Sequence, residues 1–225
     1  MDRSGCAFKL ALRHIIWGLI GVLALLSAGV VAIFLGNLIA AVSWGLVGLW
    51  ITYAGAILFL YRDPDPISPP GLPKALVAPS HGQVTEITQT LEPAIMPGDC
   101  RKISIHVGWS DVQVGKSPAE GIVTCCQEIS APTPRATRNL DGGLLMTIAP
   151  REAPRETLGL RFIAGRYPRK TAAWARTGDV IERGQRLTMM QFGSRCELFL
   201  PLSAEVQVRA GDTVRGGETI VACFA

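Results

Sequence analysis

The chain has 225 residues, 48% of them hydrophobic, and a formal net charge of +4. That length suits one compact domain plus a membrane segment, and the apolar share is too high for a wholly soluble chain. Lys and Arg are scattered without a basic block, which argues against a nucleic-acid binder. Six cysteines without a C-x2-C pair or a His-rich neighbourhood exclude a zinc module and read as reduced thiols.

The apolar excess is local. Residues 15–60 contain no Asp, Glu, Lys or Arg, and only Ser27, Asn37, Ser43 and Thr52 interrupt the run. About 20 residues cross the hydrocarbon core as a helix, so this stretch predicts a hairpin of two transmembrane helices, about 15–35 and 38–60. Gly36-Asn37 suits the turn between them. Buried helices of soluble proteins keep a polar stripe that is missing here, and a cleaved signal peptide would be shorter. Arg3, Lys9 and Arg13 precede the first span, and Arg62 and Lys74 follow the second, so both ends are expected on the cytoplasmic side of the cell membrane. Trp17, Trp44, Trp50, Tyr53 and Tyr61 supply aromatics for the interface, and His14 reads as a helix-end residue near the headgroups.

Residues 1–62 are therefore expected to form the anchor and 63–225 a second domain. DPDPISPPGLP, residues 63–73, holds five prolines and reads as a stiff, extended connector. Beyond Ala75 the texture is β: KISIHV, GLLMTI, LRFIAG and CELFLP are short Val/Ile/Leu-rich runs separated by Gly, Pro and Asp. The expected fold is mainly β, a compact barrel or sandwich-like domain. Near its end GDVIERGQRLTMM, from Gly178, and GDTVRGGETIVAC, from Gly211, repeat each other 33 positions apart. This is the texture of lipoyl and biotinyl half-motifs, but no Lys stands at a hairpin tip between them, which disfavours a carrier domain.

The segment MMQFGSRCELFLP, residues 189–201, sets Gly193 and Ser194 between two β-like runs. Glycine permits unusual torsions, and a serine beside it attacks the preceding carbonyl where a base is near. An ordinary β-turn has the same two residues.

Context favours the chemistry. VAPSHGQV (77–84), ISIHVGWSDVQVGKSPAEGIV (103–123), FIAGRYPRK (162–170), GQRLTMMQFGSRCELFLP (184–201) and VRAGDTVRGGETIVA (208–222) follow a Tyr61-Arg62-Asp63-Pro64 lead-in. In that order they resemble the phosphatidylserine decarboxylase family, in its short, membrane-anchored bacterial and archaeal type. The resemblance implies a self-processing proenzyme. The Ser194 hydroxyl attacks the Gly193 carbonyl, the ester breaks by elimination, and the new chain begins with a pyruvoyl group made from Ser194. That group is the cofactor, an electron sink for the loss of CO2 that turns phosphatidylserine into phosphatidylethanolamine. The implied partners are the phospholipid, the membrane, the chain's own cleaved fragment and a second copy of the protein in a homo-oligomer; no metal is implied.

Two positions depart from the family pattern. His81 in PSHG stands where the family has an Asp that assists self-cleavage, and Gln113 in DVQVGK stands where it has a catalytic His. A neutral imidazole can take the Ser194 proton, since His titrates near 6.5. Gln has no proton to give near neutral pH, and losing a positioned acid costs about 10² to 10⁴ in rate. Self-cleavage through His81 with weakened decarboxylation is the expectation, and a non-catalytic module that binds lipid headgroups is the alternative. Substitute proton donors are His106, which reads more simply as a packed strand residue, and Asp111. Lys116 occupies the family's Arg position. Arg166 and Arg169, with Lys170, make a basic cluster that suits a phospholipid phosphate or a solvated turn.

Overall fold

The structure, a computed structural model, describes residues 6–32, 37–63, 65, 69, 72–92, 95–96, 98–129, 143–163, 171–190 and 194–224. The chain divides into two units, Met1–Asp63 and Pro64–Ala225.

The first unit is a pair of helices, α1 (Cys6–Ala32) and α2 (Asn37–Leu60). α1 starts earlier than the apolar run, since residues 6–14 hold no Gly or Pro and are rich in the helix formers Ala, Leu, Lys and Arg. Asn37 is the first residue of α2 rather than part of a turn, and Gly36 lies outside the described residues. Within the helices Ala11–Gly29 and Ala40–Leu60 are long and apolar enough to span a membrane. The helices meet through small residues: a side chain at Gly18 would overlap the Trp50 indole, and Gly29 faces Ser43. Trp17, Trp44 and Leu49 are left exposed, as lipid-facing side chains would be.

The second unit is all β. In chain order its strands are β1 (Ala75–Val77), β2 (Gly82–Leu91), β3 (Asp99–Val107), β4 (Val114–Lys116), β5 (Gly121–Ile129), β6 (Gly143–Pro150) and β7 (Leu158–Ile163). There follow β8 (Thr171–Ala173), β9 (Val180–Ile181), β10 (Arg186–Met190), β11 (Ser194–Pro201), β12 (Glu205–Val206), β13 (Thr213–Val214) and β14 (Ile220–Cys223). Eight strands form one antiparallel sheet in the order β13-β2-β3-β11-β7-β6-β5-β9, and two three-stranded sheets, β1-β14-β12 and β4-β10-β8, complete the fold. Alternation along the strands builds the core. Ile103, Ile105 and Val107 of β3, Cys196, Leu198 and Leu200 of β11, Leu158, Leu160 and Phe162 of β7 and Leu144, Met146 and Ile148 of β6 share the main cluster. The other face of the sheet buries Cys100, Leu145 and Phe199 beneath Ile95 and Met96.

The sequence repeat is also a structural repeat. Gly178 and Gly211 both have positive φ, 92° and 99°, and so do Gly184 and Gly217, at 78° and 81°. Asp179 Oδ2 accepts the Arg176 N–H at 2.8 Å, as Asp212 Oδ2 accepts that of Arg209 at 2.7 Å. β9 then pairs with β5 and β13 with β2, so each copy closes one edge of the large sheet.

The connector is tied down where it is described. The Arg183 guanidinium donates to the carbonyls of Pro69, at 2.9 Å, and Leu72, and Arg186 pairs with Asp65 at 2.6 Å. Held at these points against the start of β10, it is not a free spacer off the membrane.

Gly82, the first residue of β2, has φ 141°, and a Cβ there would run into the His106 carbonyl. Only glycine fits both demands. Gly82→Ala is expected to cost about 1–3 kcal/mol and to lower the melting temperature in detergent by about 3–10 °C. An unchanged melting temperature would contradict this close approach.

Candidate active site

Three neighbouring strands bring the sequence motifs together. On β3 and β11, Val107 lies opposite Ser194 and His106 opposite Arg195, and on β2 and β3, Gln83 lies opposite His106. The start of β2, the end of β3 and the start of β11 are thus side by side. His81 immediately precedes β2, and Ser194 is the first residue of β11. Gly193 lies outside the described residues, as do Arg166 and Arg169. His106 is exposed rather than packed.

The segment carrying His81 is held by backbone bonds on two sides. Gly217 N–H donates to Ala78 O and Lys116 N–H to Pro79 O, at 2.8 and 2.7 Å. The Gly216 N–H points at His81 Nδ1 at 3.3 Å, so Nδ1 carries the lone pair and Nε2 the proton in the neutral ring. Partial burial first, and then the Lys116 cation, hold the His81 pKa below its ordinary value. The ring is therefore neutral at physiological pH. Lys116, on β4, is wholly buried.

Gln113 is 94% buried, and its amide is committed. Nε2 donates to Gly108 O at 2.7 Å and to Asp111 O at 3.0 Å, while Asp111 Oδ2 accepts the Gly108 N–H at 2.7 Å. These bonds lock the turn that follows β3, so Gln113 is not on one continuous strand with His106. Its Oε1 is buried without a hydrogen-bond partner among the described residues. With both amide hydrogens used, the side chain offers only an acceptor.

A second polar group flanks Ser194 and was not singled out in the sequence. Glu197 is 3% exposed, and it accepts from Arg161 Nη1 of β7 at 3.2 Å and lies 3.1 Å from Arg195 Nε. The other Arg161 nitrogen donates to Glu92 at 3.2 Å, and its guanidinium lies over the Phe199 ring. The available signal was Arg195 and Glu197 at strand spacing inside the Gly-Ser motif; Arg161 is 36 residues away. Cys196, between them on β11, is wholly buried, and burial pushes its thiol so far up that it stays protonated and inert.

The family model described as phosphatidylserine decarboxylase matches residues 56–222, nearly the whole β unit and the motifs just placed. The chain belongs to the phosphatidylserine decarboxylase family. Among its relatives is a phosphatidylserine decarboxylase proenzyme of Salinibacter ruber, 31% identical over 73% of this chain and 74% of that one. The proenzyme of Desulfotalea psychrophila is 31% identical over 73% and 77% of the two chains. For that of Symbiobacterium thermophilum the figures are 29% over 91% and 92%. Phosphatidylserine decarboxylases are carboxy-lyases, and the two apolar helices of this member are consistent with membrane anchoring.

Proposed function

We propose that this chain is a pyruvoyl-dependent phosphatidylserine decarboxylase that makes its own cofactor by breaking the Gly193–Ser194 bond, with its β-domain on the cytoplasmic side of the membrane. The observation that carries the reading is the alignment of β2, β3 and β11, which sets the processing serine at the same sheet end as neutral His81. Ser194 Oγ adds to the Gly193 carbonyl carbon, and the amide nitrogen leaves it, giving an ester. Elimination breaks the Ser194 Cβ–O bond, leaves a carboxylate on Gly193, and yields the pyruvoyl group after water displaces ammonia. His81 takes the serine proton at Nδ1, giving up the long contact with Gly216.

The residues present fit the group. The Gln113 Oε1, without a hydrogen-bond partner among the described residues, suits a substrate N–H, and Lys116 is offered for the headgroup's negative charge. When formed, the pyruvoyl carbonyl supplies the electron sink. The chain's own residues bind and orient the headgroup, and Arg166 and Arg169 are offered for its phosphate. The finer reading of partners is a phospholipid substrate presented by a bilayer, with the two fragments staying together and a homo-oligomer as the assembly.

The test is the intact mass of the purified protein, followed by an assay with carboxyl-labelled phosphatidylserine. Fragments 1–193 and 194–225, the second bearing a pyruvoyl group, together with released CO2, are expected. One uncut chain would instead support the headgroup-binding reading, which the locked Gln113 amide favours. Because Gln113 has no proton to give, Gln113→His is expected to raise the decarboxylation rate of the processed enzyme about tenfold or more, a part of the 10² to 10⁴ that a positioned acid is worth. An unchanged or lower rate in the labelled assay would mean that another group already donates the proton.

A further inference from the structure

The Glu92–Arg161–Glu197–Arg195 chain of charges ends on the strand that begins at the processing serine, and nothing in the proposed reaction uses it. Its placement is informative. On β11, Ser194 pairs with Val107 of β3, and Arg195 pairs with both His106 of β3 and Ile163 of β7. In the intact chain, residue 194 is also held covalently by the link from β10, which is anchored between β4 and β8. Cutting that link turns residue 194 into a chain end, and chain ends fray unless something ties them down.

We propose that Glu197 is a positioning residue that holds the new chain end in place after self-cleavage, acting through Arg195. The inference rests on the reading of Ser194 as the processing residue. Glu197 is fixed from the far side by Arg161, which spans from it to Glu92 and so fastens β11 to β7 and to the turn after β2. Arg195, the neighbour of the reacting residue, pairs with this fixed carboxylate by charge at 3.1 Å, without a hydrogen bond from its Nε among the described residues. Two basic and two acidic side chains thus alternate along this chain of contacts. Before the cut the clamp duplicates the covalent link. Afterwards it sets where the first residue of the small chain stands, and a reactive carbonyl needs that placement to within about 0.5 Å.

The test compares Glu197→Ala in two full-length backgrounds, wild type and the uncleavable Ser194→Ala, by intact mass and by hydrogen exchange of the amides at 195–197. In the processed protein, Glu197→Ala is expected to speed that exchange about tenfold; in the uncleaved background the same change should matter less than about threefold. Glu197→Gln, which keeps an acceptor for Arg161 but not the charge, should lie between, and it serves if the alanine variant does not fold. Equal loss of protection in both backgrounds would make Glu197 an ordinary structural residue and overturn the proposal, as would no loss in either. A wild-type protein that stays in one piece overturns this inference together with the proposed function. A cleaved wild type whose exchange ignores Glu197 overturns the inference alone.

Discussion

Ser194→Ala is expected to leave a single uncut chain with no decarboxylation above background, a loss of at least about 10⁴-fold, since without the hydroxyl the electron sink never forms. The fold should survive. Residue 194 contributes a backbone position opposite Val107, and alanine fills that position without strain. The variant should therefore melt cooperatively as one folded chain, at a temperature independent of protein concentration, and the loss should appear in intact mass and in CO2 release. Fragments still present in the variant would show that cleavage is the work of a contaminating protease and would remove the basis for a pyruvoyl mechanism.

His81→Ala is expected to slow self-cleavage by about 10² to 10⁴, the usual worth of a positioned base, followed as the rate at which full-length chain disappears. The pH dependence carries a sign. Desolvation and Lys116 lower the folded-state pKa of His81 below 6.5, so the neutral ring persists below that pH. Cleavage by wild type should be flat above about 6.5 and fall only as pH drops through the lowered value. Lys116→Met, which removes the neighbouring cation, should move the midpoint up. The stability term runs the same way. A histidine whose folded pKa lies below its unfolded one favours the fold fully above about 6.5 and loses that contribution as pH falls. A cleavage rate indifferent to both substitutions would mean that another group accepts the serine proton.

Composition and local pattern made the architecture legible in outline. One charge-free run long enough for two crossings gave the helix pair, Val/Ile-rich runs gave strands, and the Gly-Asp repeat gave matching turns at Gly178 and Gly211, because a positive φ is written into the sequence as glycine. What could not be read depends on cross-strand register. Arg161 meets Glu197 across 36 residues and Glu92 across 69, and no local window carries such a pairing. The connector shows the same limit. Its prolines announce an extended segment, but that Arg183 would fasten it to the domain is decided by tertiary packing. At Gln113 the sequence revealed a missing acid. It did not reveal that both amide hydrogens would be used to hold a turn, since the carbonyls they serve, Gly108 and Asp111, become acceptors only once β3 ends at Val107.

The position of β11 inside the large sheet changes what a cut at residue 193 means. The segment from Ser194 onward is threaded through the domain: β11 lies between β3 and β7, β13 closes the edge beside β2, and β14 pairs with β1. Severing its only covalent tie would release nothing, yet it would alter the molecularity of unfolding. One chain would come apart into two, so the midpoint would depend on protein concentration. Refolding would require the small chain to find its partner and enter the middle of a sheet from solution. Such a protein is assembled once, as a single chain, and afterwards can be kept but not readily remade.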